Sequence, residues 1–97
     1  MLFISVTAKD GRNYRLVFRK DDVTIGRVSG NDIVLPVDTV NQRHTRLVVK
    51  DGRCFVADLR SANGTYVNRT RIYPGQKRQL FVNDVVQIGN VHLKLKA

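Results

Sequence analysis

The residues with a capacity for chemistry gather in three polar stretches, Gly26–Asp32, Asp38–His44 and Arg60–Gly64. Together they offer Arg27, Asn41, Gln42, Arg43, Ser61 and Asn63, nearly all hydrogen-bond donors, and their only acids are Asp32 and Asp38. A donor-rich cluster without a base suits an anion carrying several acceptor oxygens, with phosphate the obvious choice. The stretch Asp58–Asn68 is the focus: Asn63-Gly64 supplies the left-handed backbone of a tight loop. It also presents a side-chain amide beside Arg60 and Ser61, a polar claw between two strands. Neither paired carboxylates, a glycine-rich nucleotide loop nor metal-ligand spacing is present, so no catalytic residue, metal or cofactor is expected. His44, with His92 far away in a strand, is expected to be a hydrogen-bonded loop residue, Cys54 a small buried side chain, and Asp58 an acceptor for the loop that follows it.

These residues need a scaffold. Ninety-seven residues with 42% hydrophobic content predict one domain spanning 1–97, with a modest core. No stretch approaches the length of a membrane span, and Met1-Leu2-Phe3-Ile4 lacks the basic start of a signal peptide. A single cysteine cannot form an internal disulfide, which fits a reducing compartment and a cytoplasmic location. Seventeen Lys and Arg face eight acids, all Asp, for a net charge of +9. Such a balance favours an anionic partner: nucleic acid, an acidic lipid surface or a phosphorylated protein.

Leu2, Ile4, Val6 and Ala8 alternate with Phe3, Ser5, Thr7 and Lys9, the period of a strand. Asp10-Gly11 turns the chain into a returning Tyr14–Phe18, predicting a hairpin. Short strands follow at Val23–Ile25 and Ile33–Leu35, the latter closed by Pro36. Thr45–Lys50 and Arg53–Leu59 flank Asp51-Gly52, a second hairpin. Thr65–Val67, a Pro74-Gly75 turn, Leu80–Val82, an Asn83-Asp84 turn and a terminal hairpin across Gly89-Asn90 complete the chain. Short strands at regular spacing without an amphipathic helix predict an antiparallel β-sandwich or barrel, with function in its end loops.

Four blocks now carry a resemblance: Gly26-Arg27, Asn31–Leu35, Val40–His44 and Asp58–Asn68. In this order and spacing the chain resembles a forkhead-associated (FHA) domain, a phosphothreonine-recognition module. The resemblance covers roughly Val23 to Leu95 and implies an all-β antiparallel sandwich of about eleven short strands. It gives Arg27 the grip on phosphate and Asn63 the peptide backbone beside the phosphothreonine. Asn41 stands where the family usually has a phosphate-binding serine, Gln42 where an arginine or other polar contact is common, and Ala62 where threonine is frequent. Arg43 and Ser61, taken from the donor-rich loops themselves, complete the expected phosphopeptide-binding set. Gly26, His44, Gly64 and Asn68 match residues that shape the loops.

The resulting expectation is a protein–protein interaction module, with no small-molecule substrate and no membrane insertion, that docks a phosphothreonine segment of a partner and sits within a larger chain. A phosphate-independent FHA-like scaffold or oligomerisation domain is the alternative, suggested by Asn41 and Ala62. A nucleic-acid-binding β domain ranks third, because no exposed aromatic set is interleaved with the basic residues.

Overall fold

In a computed structural model describing residues 1–97, the chain forms eleven strands: β1 (Leu2–Thr7), β2 (Asn13–Phe18), β3 (Asp22–Gly26), β4 (Ile33–Val34), β5 (Thr45–Lys50), β6 (Arg53–Asp58), β7 (Thr65–Val67), β8 (Thr70–Ile72), β9 (Arg78–Leu80), β10 (Val85–Ile88) and β11 (Val91–Lys96). They make a six-stranded sheet, β2-β1-β11-β10-β7-β8, and a five-stranded sheet, β4-β3-β5-β6-β9. This is the expected all-β sandwich. The hairpins expected at β1–β2, β5–β6 and β10–β11 all pair antiparallel. There is no helix, so none is long and apolar enough to cross a membrane.

The alternating side chains explain why two sheets stack. Leu2, Ile4 and Val6 point inward from β1, Val23 and Ile25 from β3, Val86 and Ile88 from β10, and Val91 and Leu93 from β11. They join an 18-residue core to which Ile33 contributes from β4 and Leu35 and Val40 from the connection that follows it. Burying each such side chain stabilises the fold by about 1.5–3 kcal/mol. The connections that bear the polar stretches are thereby anchored at their apolar residues. Their polar residues are left at one end of the sandwich.

Three features depart from the sequence reading. First, β4 pairs with β3 in parallel, Ile25 opposite Ile33, so the five-stranded sheet is mixed. Second, β8 was not foreseen. It pairs with β7 across a tight turn in which Asn68 and Arg69 both hold positive φ, at 48° and 71°. A glycine normally marks that turn, and here none does. Third, β9 ends at Leu80, and Phe81-Val82, expected in a strand, form an exposed turn instead. Asp84 holds the turn: its amide donates to Phe81 O, and its carboxylate accepts from Phe81 N. Apolar content alone had suggested a strand where a side-chain carboxylate decides for a turn.

Candidate functional site

The site begins at the end of β3. Gly26 is buried against the β4–β5 connection, where an added Cβ would stand 2.1 Å from the backbone oxygen of Gln42. Only glycine permits that approach. The next residue, Arg27, donates its backbone amide to Asn41 O (2.9 Å) and its Nε to Val40 O (3.0 Å). The guanidinium is thus aimed by one bond while the side chain stays exposed. Asn31 closes the same loop from the other side, donating from Nδ2 to both Val28 O and Gln42 O at 2.8 Å.

His44 joins this loop pair to the β6–β7 loop. It is fully buried. Its Nδ1 accepts from Asn41 N (3.0 Å), so the ring hydrogen sits on Nε2 and reaches Gly64 O at 2.8 Å. Its own amide donates to Ile25 O, and its carbonyl accepts from Leu59 N. The expectation of a hydrogen-bonded loop residue agrees with this geometry. Two side-chain amides make further bridges: Asn41 Oδ1 accepts from Ala62 N (3.2 Å), and Asn63 Nδ2 donates to Thr39 O (2.9 Å).

Beneath the β6–β7 loop lies a buried polar cluster. Asp58 Oδ1 accepts from Ser61 Oγ (2.5 Å) and Thr65 Oγ1 (2.7 Å), and Oδ2 accepts from Ser61 N (3.1 Å). Because the Thr65 hydroxyl hydrogen is committed to Asp58, Thr45 must donate the bond that joins Thr45 Oγ1 and Thr65 Oγ1 at 2.8 Å. A buried carboxylate is tolerated only with such donors around it. Ser61, expected among the ligand residues as part of the polar claw, is therefore turned inward: it is buried and its hydroxyl is spent on Asp58.

The electrostatics of this end are positive. Asp32, an acid of the polar stretches, is bound by Lys20 Nζ (2.7 Å) and by Thr24 N (2.9 Å), and the Lys20 bond leads in holding its carboxyl below the usual range. Arg46 pairs with Asp22 and depresses that carboxyl likewise. Arg27 and Arg43 take part in none of the ion pairs of the chain. An open polar groove beside the cluster is lined by Lys20, Asp22, Thr24, Asp32, Arg43 and Arg46. Arg27, Asn41 and Asn63 are not among the residues that line it.

The structure thus brings Arg27, Asn41, Gln42 and Asn63 together, sets Arg43 on the adjoining groove and turns Ser61 inward. Asn68 sits at the far end of β7, where Nδ2 donates to Asp84 and Oδ1 accepts from Val85 N, a loop-shaping role. Thr39 was missed. Its carbonyl holds Asn63, and its hydroxyl donates to Asn90 Oδ1 (3.2 Å) while accepting from Asn90 N. No local signal marks it, since its partners lie far along the chain. Asp58, expected to accept bonds from the loop after it, does so.

One antiparallel and one mixed sheet, closed at one end by three hydrogen-bonded loops, define the architecture that carries the site. The FHA domain family model matches residues 23–89, and the chain belongs to that family. Its relatives include an ABC transporter ATP-binding/permease protein of Mycobacterium tuberculosis, 42% identical over 71 residues, or 73% of this chain. An oxoglutarate dehydrogenase inhibitor of Corynebacterium efficiens is 37% identical over 79 residues, 81% of this chain. The chain spans 8% of the transporter's length and 54% of the inhibitor's. Among solved structures, an FHA domain described for its phosphothreonine-dependent interactions matches with a TM-score of 0.78 and 30% identity, covering 98% of this chain and 96% of the other.

Proposed function

We propose that the three-loop end binds a phosphothreonine-containing segment of a partner protein and that the domain catalyses nothing. The observation that carries this reading is the Arg27 guanidinium, aimed by its Nε bond to Val40 O, exposed and unpaired with any carboxylate. Its Nη groups take the phosphate oxygens in charge-assisted bonds worth about 1.5–3 kcal/mol each. Asn41 contributes Nδ2, because its Oδ1 is held by Ala62 N, and Gln42 and Arg43 add donors and charge. Asn63 keeps its oxygen and one amide hydrogen for the peptide backbone, the other hydrogen being bound to Thr39 O. Ser61 acts from below, by holding the β6–β7 loop through Asp58. The solved FHA domain with phosphothreonine-dependent interactions supports the ligand class.

The domain works within a larger protein, as relatives much longer than the matched segment suggest. A reducing, cytoplasmic setting agrees with Cys54, free and buried, its thiol pushed up to about 11 by desolvation.

The test is binding to a degenerate phosphothreonine peptide library, with unphosphorylated and phosphoserine versions, for wild type and Arg27→Ala. Phosphothreonine-selective binding that falls by tenfold or more in the variant is expected. Binding that ignores phosphate or Arg27 would favour the phosphate-independent scaffold instead, for which the structural use of Asn41 is the supporting feature.

A further inference from the structure

Arg71, on β8, is a cation that neither the proposed phosphate contacts nor the core employs. Its side chain runs against Gly64, the neighbour of Asn63. A Cβ on Gly64 would stand 2.8 Å from Arg71 Nε and 3.3 Å from Cδ. Gly64 therefore serves two ends: it takes a φ of 84°, and its bare face leaves space for the guanidinium. Arg71 Nε is cut off from solvent without an acceptor, the only buried side-chain polar atom of the chain in that state. The guanidinium lies over the Tyr73 ring, 5.1 Å from its centroid, which sets its plane while leaving its charge uncompensated.

No carboxylate is at hand to satisfy it. Arg71 joins none of the ion pairs. Its cross-strand neighbour is Tyr66, and the same row continues through Gln87, His92, Thr7 and Asn13 without an acid. The outward positions of the next rows hold Arg15, Lys94 and Lys96, again without an acid. A planar guanidinium, braced on one face and lacking an intramolecular counter-ion, is matched by the two oxygens of a carboxylate.

We propose that Arg71, braced by Tyr73 and Gly64, binds the side-chain carboxylate of an Asp or Glu flanking the phosphothreonine. This rests on the phosphopeptide reading above. An extended peptide advances about 3.3–3.6 Å per residue, so a ligand seated on Asn63 passes the Gly64–Arg71 contact within a few residues of its phosphate. The terminal Nη edge receives the carboxylate, because the Nε edge faces Gly64.

The experiment is a positional scan. Phosphothreonine peptides in an alanine background carry a single Asp at each flanking position in turn, and affinities are measured for wild type, Arg71→Gln and Arg71→Lys. In wild type, one position or two adjacent ones should gain about tenfold from Asp over Ala. That ratio should fall to near one in Arg71→Gln and to an intermediate value in Arg71→Lys, which keeps charge but loses the planar fork. The ratio is read within each variant, so a change in overall affinity or stability does not mimic it. An Asp preference that survives in Arg71→Gln, or phosphopeptide binding with no Asp preference at any position, overturns this assignment and leaves the phosphothreonine reading intact. Failure of every phosphopeptide to bind wild type overturns both.

Discussion

The side-chain oxygen of Asn41 accepts the backbone amide of Ala62 at 3.2 Å, tying the β4–β5 connection to the β6–β7 loop. That bond fixes which way the Asn41 amide points. The acceptor faces the neighbouring loop, and Nδ2, a donor, makes no hydrogen bond within the chain. A departure from the family's usual serine thus becomes a bracing contact between the loop that presents Asn63 and the β4–β5 connection, whose Val40 and Asn41 carbonyls hold Arg27.

Asn41→Ser separates these two roles. Serine is too short to reach Ala62 N, so the loop brace is lost, at a cost of about 0.5–1.5 kcal/mol in stability. Its hydroxyl is at the same time freed for phosphate. Urea denaturation should show a lower midpoint while titration with a phosphothreonine peptide shows equal or tighter binding. A variant that weakens both would mean that the brace matters more to binding than the added hydroxyl.

Gly26→Ala places a methyl group 2.1 Å from Gln42 O, a backbone atom that cannot step aside. The β4–β5 connection must shift, and the Arg27 N to Asn41 O bond with it. Expected losses are about 1–3 kcal/mol of stability and most phosphopeptide affinity, checked by denaturation and by titration at a temperature where the variant remains folded.

Arg69→Gly should stabilise. Arg69 holds a φ of 71° in the β7–β8 turn, where a side chain costs about 1–2 kcal/mol. The greater freedom of glycine in the unfolded chain offsets part of this. A net gain of about 0.5 kcal/mol should appear as a higher urea midpoint. Phosphopeptide affinity should stay unchanged, since the turn lies at the opposite end of β7 from Gly64.

Acid should act on binding before it acts on the fold. Asp22 and Asp32 have carboxyl values lowered below 3.8 by their bonds to Arg46 and Lys20. A lowered folded value means that their contribution is complete above 3.8 and fades as pH falls through the folded values. Phosphothreonine takes up its second proton near pH 6, so at about pH 5 the domain should be fully folded and bind more weakly. Denaturation midpoints across the acid range check the first statement, with Asp22→Asn and Asp32→Asn flattening the decline. Titration at two pH values checks the second.

Much of this molecule can be read from its residues in order. Period-two alternation and paired turn residues act locally, so β1, β2, β5, β6, β10 and β11 and their inward faces follow from the sequence itself. The ligand candidates were equally legible, because Gly26-Arg27, Asn41–His44 and Asn63-Gly64 are short contiguous blocks. Tertiary structure decided what depends on distant partners. The parallel β3–β4 pairing needs a neighbour that the local pattern does not name, and β8 forms on a turn without glycine. Phe81-Val82 leave the sheet because the Asp84 carboxylate captures a backbone amide. The inward turn of Ser61, the bond between Thr39 and Asn63, and the orientation of the Asn41 amide are likewise set by groups that meet only when the loops pack. So is the setting of a half-buried, uncompensated Arg71 beside Gly64. A donor's identity is written in its residue type, but which of its hydrogens remain free is settled by the acceptors that folding brings within reach.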